Sequence, residues 1–259
     1  MIFMNKEEYE SAIKAMLPTD GLDGEYLDYA HIEKYKSDWA KLSEIINSVV
    51  LVFDCYTDKF LFVSEKGLSP FGVSAKQLMK EGHTPLFELI HPEDMKYGLA
   101  IRKKIYGLME SLSPEEQRQY KLIHEMRLKD TQGNYVRIIE QEQIIEFNNN
   151  GKAWLMLSVV DADAGHETEI TRSHIYNFVT GKHIYLDLSD MLEESLTNRE
   201  LEILSCMRQG LLSKEIANAM NISINTVNTH RQNIFRKLDA NNSMEAVNYA
   251  IRLGIKATI

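Results

Sequence analysis

Ser223-Ile-Asn-Thr-Val-Asn-Thr-His-Arg-Gln-Asn-Ile-Phe-Arg-Lys-Leu238 is the stretch on which the rest of the chain is organised. Ile224, Val227, Ile234 and Leu238 recur at helical spacing. Between them stand Asn228, Thr229, Arg231, Gln232 and Asn233, with Arg236 and Lys237 further on. Amides and a guanidinium projecting from one short helix are what base edges and phosphates require. Ser223 is a good N-cap, so the helix begins there and its first turns carry Asn225, Thr226, Asn228 and Thr229. Those are the positions at which a groove-reading helix touches bases.

Working outward, Thr197-Asn198-Arg199-Glu200 is a capping box that opens another helix, with Leu201, Leu204 and Met207 or Arg208 on successive turns. Gly210 ends it. Ser213 is expected to cap the next helix, Lys214 to Met220, whose apolar residues are Ile216, Ala217 and Met220. Asn221-Ile222 makes the turn into the central helix. Ser243 is expected to cap a last helix with Ala246, Val247, Ala250, Ile251 and Leu253 on one face.

The run Leu196-Thr197-Asn198-Arg199-Glu200, then Lys214-Glu215-Ile216-Ala217, Thr226-Val227 with His230, and Lys237-Leu238 closely resembles a LuxR-type helix-turn-helix domain. Several matched segments in the right order over about sixty residues are a specific signal. Two positions depart from the family: Asn228 where a Lys often follows Thr-Val, and Ser243 where an Arg often stands. The first changes a base or phosphate contact, so no operator sequence carries over. Within the domain Asn228, Thr229 and Gln232 are expected to face base edges, and Lys214, Thr226, Arg231 and Lys237 to hold phosphates. The competing reading is a four-helix packing domain that no longer binds DNA. The resemblance also implies pairing through the last helix, at Met244, Val247 and Ile251.

At 259 residues, 44% hydrophobic and 26% charged, the chain reads as a soluble globular protein of two domains. No run approaches a membrane span, and Met1-Ile2-Phe3-Met4-Asn5-Lys6-Glu7-Glu8 turns acidic too soon for a signal peptide. Cys55 and Cys206 imply no disulfide framework, and the expected location is the reducing cytoplasm. The net charge of −9 is unevenly placed. From Leu196 onward there are eight Lys/Arg against five Asp/Glu, a net +3, so the residues before it carry −12. The acidic part should repel DNA and the basic part approach it.

The expected domains are an N-terminal helical flank, residues 1–47; a sheet-containing domain, 48–164; a connector, 165–195; and the helix-turn-helix part, 196–259. Glu7 to Leu17 reads as a short helix. Tyr26 to Ser48 lacks Gly and Pro, and Ile32, Tyr35, Trp39, Leu42, Ile46 and Val49 form an a/d seam. Either one helix lies across the next domain or two copies pair there; fewer than four heptads leave both open.

Val49 to Cys55 is a buried strand and Lys59 to Ser64 its hairpin partner after a turn ending at Asp58. Leu68 to Leu89, punctuated by Gly and Pro, reads as short helices. His91-Pro92-Glu93-Asp94 opens a longer helix, and Ser113-Pro114-Glu115-Glu116 is another capping signal. Strands follow at Tyr120 to Lys129, Tyr135 to Phe147 and Trp154 to Asp161, the last apolar on both faces and therefore central. Five antiparallel strands with helices on one face satisfy this order. It resembles a PAS domain over Ser48 to Ala164. The resemblance is carried by His91-Pro92-Glu93-Asp94, by Arg127 to Tyr135 across a hairpin, and by Trp154 to Asp161. The expected fold is therefore α+β, a PAS-like five-stranded sheet with helices followed by an all-α helix-turn-helix domain.

A PAS-type fold keeps its pocket between the sheet and the helical face. The candidates here are Phe53, Phe62, Met126, Leu155 and Leu157 against Phe71, Leu78, Phe87 and Leu99; the same residues are plain core if nothing binds. In the connector, Ile175 to Val179 and His183 to Leu186 look like short strands that either dock on the sheet or form a small hairpin. His166, His174 and His183 among Asp161, Asp163 and Glu167 read as a solvated connector in preference to a metal site. His91 is expected to cap a helix and His124 to be a core histidine or a pocket donor.

Gly-x-Gly-x-x-Gly, Gly-x4-Gly-Lys, His-Glu-x-x-His, Cys-x-x-Cys and Gly-x-Ser-x-Gly are all missing from the sequence, and no catalytic or metal residue is assigned. Neither the reactive-cysteine motif of flavin-binding light sensors nor the acidic pair of receiver domains is seen, and the cofactor is left unknown. The expected function is a sequence-specific, DNA-binding transcriptional regulator. Its partners are double-stranded DNA, a second copy of itself, a small-molecule ligand of the PAS-like domain, and RNA polymerase as a candidate contact. The alternatives are a ligand-free PAS-like interaction module and, further off, an enzyme tethered to DNA.

Overall fold

The computed structural model describes residues 11–12, 27–163, 173–189, 192 and 194–255. The expected helix at Glu7 to Leu17 and the connector residues His166 and Glu167 lie almost wholly outside them. The described residues form two compact units, one running up to Ile184 and the other from Tyr185 onward.

The first unit begins with α1 (Tyr29–Glu33) and α2 (Lys36–Ile46). Asp28 caps α1 by accepting from the His31 amide at 2.9 Å, and Asn47 ends α2 in the left-handed conformation. The seam expected as one helix therefore breaks at Lys34-Tyr35. Ile32 packs with Leu27, Trp154 and Leu155, while Trp39 reaches the Phe62 ring at 5.9 Å; the break lets the two anchors meet different strands. Tyr29 adds a hydrogen bond to the buried Asp54 carboxylate at 2.8 Å. Half of the stripe is thus spent on the chain's own sheet, Val49 belongs to a strand, and Tyr35 and Ile46 stay exposed.

The strands are β1 (Val49–Asp54), β2 (Lys59–Val63), β3 (Tyr120–Lys129), β4 (Tyr135–Phe147), β5 (Ala153–Asp163), β6 (His174–Asn177) and β7 (Lys182–Tyr185). Their order is β2-β1-β5-β4-β3-β6-β7. The five expected strands form one antiparallel sheet, and two more extend it. The connector strands both dock and form a hairpin: β6 pairs with β3, Leu122 opposite Ile175, and β7 lies beyond it. His124, buried on β3, bonds Ser173 at 2.8 Å.

Between β2 and β3 run a 3-10 turn (Ser69–Phe71), α3 (Ala75–Glu81), α4 (Thr84–Phe87), α5 (Pro92–Met109) and α6 (Pro114–Gln117). Ser74, His91 and Ser113 each accept from an amide at the start of the helix they cap. Arg127 on β3 donates through its backbone N–H to Asp94 at 2.7 Å and through its guanidinium to Asp94 and Glu93 at 2.8 and 2.6 Å. Two of the segments that carry the PAS resemblance are thus bound to each other, fixing the long helix on the sheet. The core on this helical face holds Leu51, Phe53, Cys55, Phe60 and Leu78, continued by Phe71, Ile90, Leu128 and Ile138.

The second unit is all-α: α7 (Asn198–Arg208), α8 (Ser213–Met220), α9 (Ile224–Leu238) and α10 (Ser243–Leu253). Ile203, Leu204, Ile216, Val227, Ile234, Leu238, Ala246 and Leu253 form its buried core. Thr197 and Glu200 close a reciprocal capping box, and Ser223 accepts from the Thr226 amide at 3.0 Å. Two expected caps move back by one residue. The Leu212 amide donates to Glu215 at 2.7 Å ahead of α8, and Asn242 accepts from the Glu245 amide at 2.9 Å ahead of α10. Ser213 and Ser243 lie within the first turns, where their hydroxyls have another partner, described below. Leu186 and Leu188 are buried here too, and the Leu188 amide donates to the Leu253 carbonyl at 2.8 Å. The two units together make the α+β architecture that the LuxR-type and PAS resemblances imply.

Candidate functional site

The polar residues of α9 separate into two sets. Asn225, Thr226, Asn228, Thr229 and Gln232 are exposed. Asn225, Asn228, Thr229 and Gln232 are spaced by three and four residues, so they share one face. Val227, Ile234 and Leu238 hold the opposite face in the core with no exposure. Lys214, in the first turn of α8, is exposed as well. The N-terminal half of α9 therefore presents amides and hydroxyls with no bulky neighbour over them. Thr226 and Thr229 keep their hydroxyls occupied locally, by Ser223 at 2.8 Å and by the Asn225 carbonyl at 3.0 Å. Asn228 and Gln232 carry exposed side-chain amides in that row.

Arg231 and Lys237, expected to hold phosphates, are placed differently. The Arg231 guanidinium donates to Ser213 Oγ at 3.2 Å and to Ser243 Oγ, tying α9 to the first turns of α8 and α10. This is the partner that draws both serines away from capping. Lys237 is 10% exposed, and its ammonium lies 2.8 Å from Glu200 Oε2 and 3.0 Å from the Ser195 carbonyl oxygen. Burial alone would raise the Glu200 carboxyl; hydrogen bonds from Lys237 and Thr197 outweigh it and hold the group below the ordinary carboxylate range. Both cations thus act as internal ties in this structure. Arg236 is exposed on the same face as Asn228 and Gln232, and sequence reasoning left it off the site. It continues the Gln232 row one turn on, and it forms a two-pronged pair with Glu194 at 2.8 Å on each side.

In the first unit the ladder decides which pocket candidates share a face, since paired residues point the same way. Phe53 stands opposite Met156, and Val52 opposite both Leu157 and Phe62. Phe62, Leu155 and Leu157 therefore point away from the helical layer: Leu155 packs with Leu27 and Ile32, and Phe62 against Trp39. Phe53, Phe71, Leu78, Phe87, Leu99 and Met126 do belong to the helical face, though to two core clusters.

A cavity of about 260 Å³ opens on that face; Phe53, His83, Phe87, Tyr106, Met156 and Ser158 line it, with Arg102, Glu140 and Glu142 among its charged residues. The guanidinium of Arg102 lies 3.2 Å from Glu142 and 3.9 Å from Glu140. Burial, and then the charge of Glu142, push the Glu140 carboxyl up. None of these charged residues was assigned to a site from sequence. Their signal was present: Ile138, Glu140, Glu142 and Ile144 alternate along β4, so two acids sit in the middle of an apolar face.

Among the described residues, His91, Glu93 and Asp94 form a grouping of metal-ligand type, but Arg127 already bonds both carboxylates. No helix among them is long and apolar enough to cross a membrane.

Residues 194–250 match the luxR family of bacterial regulatory proteins. Over 63 residues the chain is 46% identical to the uncharacterized response regulatory protein YgeK of Escherichia coli K12, covering 24% of this chain and 43% of that one. Over 59 residues it is 49% identical to the transcriptional regulatory protein LiaR of Bacillus subtilis, covering 23% and 28%. The chain thus spans less than half the length of the curated relatives it matches. Among solved structures, the Vibrio cholerae VqmA-ligand-DNA complex aligns over 91% of both chains at 16% identity, with a TM-score of 0.31. The PAS-B domain of Drosophila melanogaster Cycle aligns over 44% of this chain and 99% of its own at 10% identity, with a TM-score of 0.33. Likenesses with scores of this size carry no mechanism across. The close matches fall on the unit that presents Asn228 and Gln232, which is a helix-turn-helix DNA-binding domain of the luxR family of bacterial regulatory proteins.

Proposed function

We propose that the protein is a sequence-specific transcriptional regulator that reads double-stranded DNA through α9 and senses a small molecule through its PAS-like unit. The observation that supports it best is the exposed row Asn225, Asn228, Thr229 and Gln232, backed by an apolar core and flanked by Lys214. Asn and Gln amides suit adenine N6 and N7 in the major groove. One such helix reads few base pairs, so the protein acts as a homodimer on two half-sites about one helical turn apart. Met244, Val247 and Ile251 on α10 supply the pairing surface, Met244 being 70% exposed.

A bound ligand acts by favouring one of two arrangements of the dimer, and so sets the spacing of the recognition helices. RNA polymerase is the further partner, the cytoplasm the place of action, and no catalytic step is included. The matched family is one of regulators. The second reading, a ligand-free interaction module, is disfavoured by the charged cavity. Footprinting of the full chain and of residues 185–259 tests the proposal: both should protect the same sequence, the fragment more weakly. Protection of a different sequence by the fragment would overturn it.

A further inference from the structure

The charged cavity on the helical face has a composition that plain packing does not require. Phe53 and His83 stand edge to face at 4.4 Å, and His83 and Phe87 stack at 5.8 Å, making an aromatic wall. Opposite it, Glu140 and Glu142 project from β4 toward one guanidinium, that of Arg102 on α5. Glu142 is 8% exposed and Glu140 13%. Two acids and one base leave a local charge of −1 when all are ionised. Burying unbalanced charge costs several kcal/mol per ion, and an apolar pair would hold α5 to the sheet more cheaply. Lys59, Lys80 and Glu81 also line it as exposed residues and Asp58 as a half-buried one, two of each sign, so the excess acid lies with Glu140 and Glu142.

We propose that this cavity binds a small organic cation, an amine or amidine, with its charged nitrogen between Glu140 and Glu142 and its flat or apolar body against Phe53, His83 and Phe87. The cation supplies the missing positive charge, and aromatic faces attract it further. The volume of about 260 Å³ lies just below the roughly 300–1,000 Å³ of drug-sized pockets, which sets the ligand's size as small. Burial and the charge of Glu142 push the Glu140 carboxyl up, and a cation between the two acids would oppose that shift. The inference rests on the reading of this unit as a small-molecule sensor.

Full-length protein titrated with benzamidine, phenethylamine, benzamide and benzoate by calorimetry decides it. Benzamidine and phenethylamine should bind saturably, benzamide at least tenfold more weakly, and benzoate not at all. Glu140→Gln should weaken benzamidine at least tenfold. Benzamide or benzoate binding as tightly as benzamidine, or no binding by either cation, overturns the assignment. The wild-type series decides by itself if Glu140→Gln fails to fold. DNA affinity measured with and without saturating benzamidine separates the two readings. Selective binding with unchanged DNA affinity keeps the cation site and removes its sensory role; no selective binding removes the cation site.

Discussion

Lys237 and Glu200 form a buried ion pair, Nζ to Oε2 at 2.8 Å, that fastens the last turn of α9 to the first turn of α7. Removing one partner leaves the other charge buried, at about 3 kcal/mol. Lys237→Met should therefore lower the melting temperature of the four-helix unit. In the remaining folded protein the salt dependence of DNA binding should be unchanged. A slope reduced by about 1 on a log–log plot would return Lys237 to the phosphate contacts.

The same pair sets an acid limit. The Glu200 carboxyl is held below its ordinary value, so its contribution to stability is complete above about pH 4.3 and is lost as pH falls through the lower folded value. Circular-dichroism melts of residues 185–259 should be level from about pH 7 to 5 and drop steeply below about 4. Glu200→Gln should flatten that acid limb.

Arg231 bridges Ser213 and Ser243 across three helices. Arg231→Ala should cost about 1–2 kcal/mol of stability by removing both hydrogen bonds from the half-buried hydroxyls of Ser213 and Ser243. Arg231→Lys should not restore it, since a single ammonium cannot reach both oxygens in the geometry of a planar fork. Thermal melts of the three proteins check this.

Asn228 and Gln232 are predicted to read bases and Lys214 a phosphate. Asn228→Ala and Gln232→Ala should each relax preference at one or two positions by about 1–3 kcal/mol. Lys214→Ala should weaken all sequences alike and reduce the salt slope by about 1. A base-substitution panel unchanged by Asn228→Ala would remove that residue from the reading face.

Glu194 pairs with Arg236, the arginine that continues the Asn228–Gln232 row. Glu194→Gln should release Arg236 for DNA phosphate, raising affinity a few-fold and the salt slope by about 1. Anisotropy titrations at several salt concentrations measure both; an unchanged slope would mean that Arg236 does not meet the backbone.

The helix-turn-helix unit was largely legible because its signals are local. Thr197 with Glu200 and Ser223 with Thr226 are caps that a few consecutive residues specify. The roles of Arg231 and Lys237 were not legible, because a cation's partner lies on another helix. Lys237 did carry a warning: it stands three residues after Ile234 and beside Leu238, both fully buried. In the sheet, β5 is apolar on both faces, so no alternation told Leu155 and Leu157 from Met156. The shift in pairing between Val52 and Phe53 likewise has no mark in the sequence. The break at Lys34-Tyr35 depends on where two strands receive Ile32 and Trp39, which the seam alone does not encode.

The β6–β7 hairpin has a mechanical meaning. The polypeptide leaves the first unit as hydrogen-bonded edge strands, with Tyr120 to Ile123 of β3 latched to His174 to Asn177. β3 also contributes Met126 and Leu128 to the helical face. A signalling helix would send news of occupancy by rotating or sliding along its axis. A strand in a ladder can do neither without surrendering its register, and one step would turn every side chain over. What such an exit can deliver is a change in twist. On the proposed sensory reading the output of this unit would be torsional, graded by how far a ligand flattens or coils the sheet.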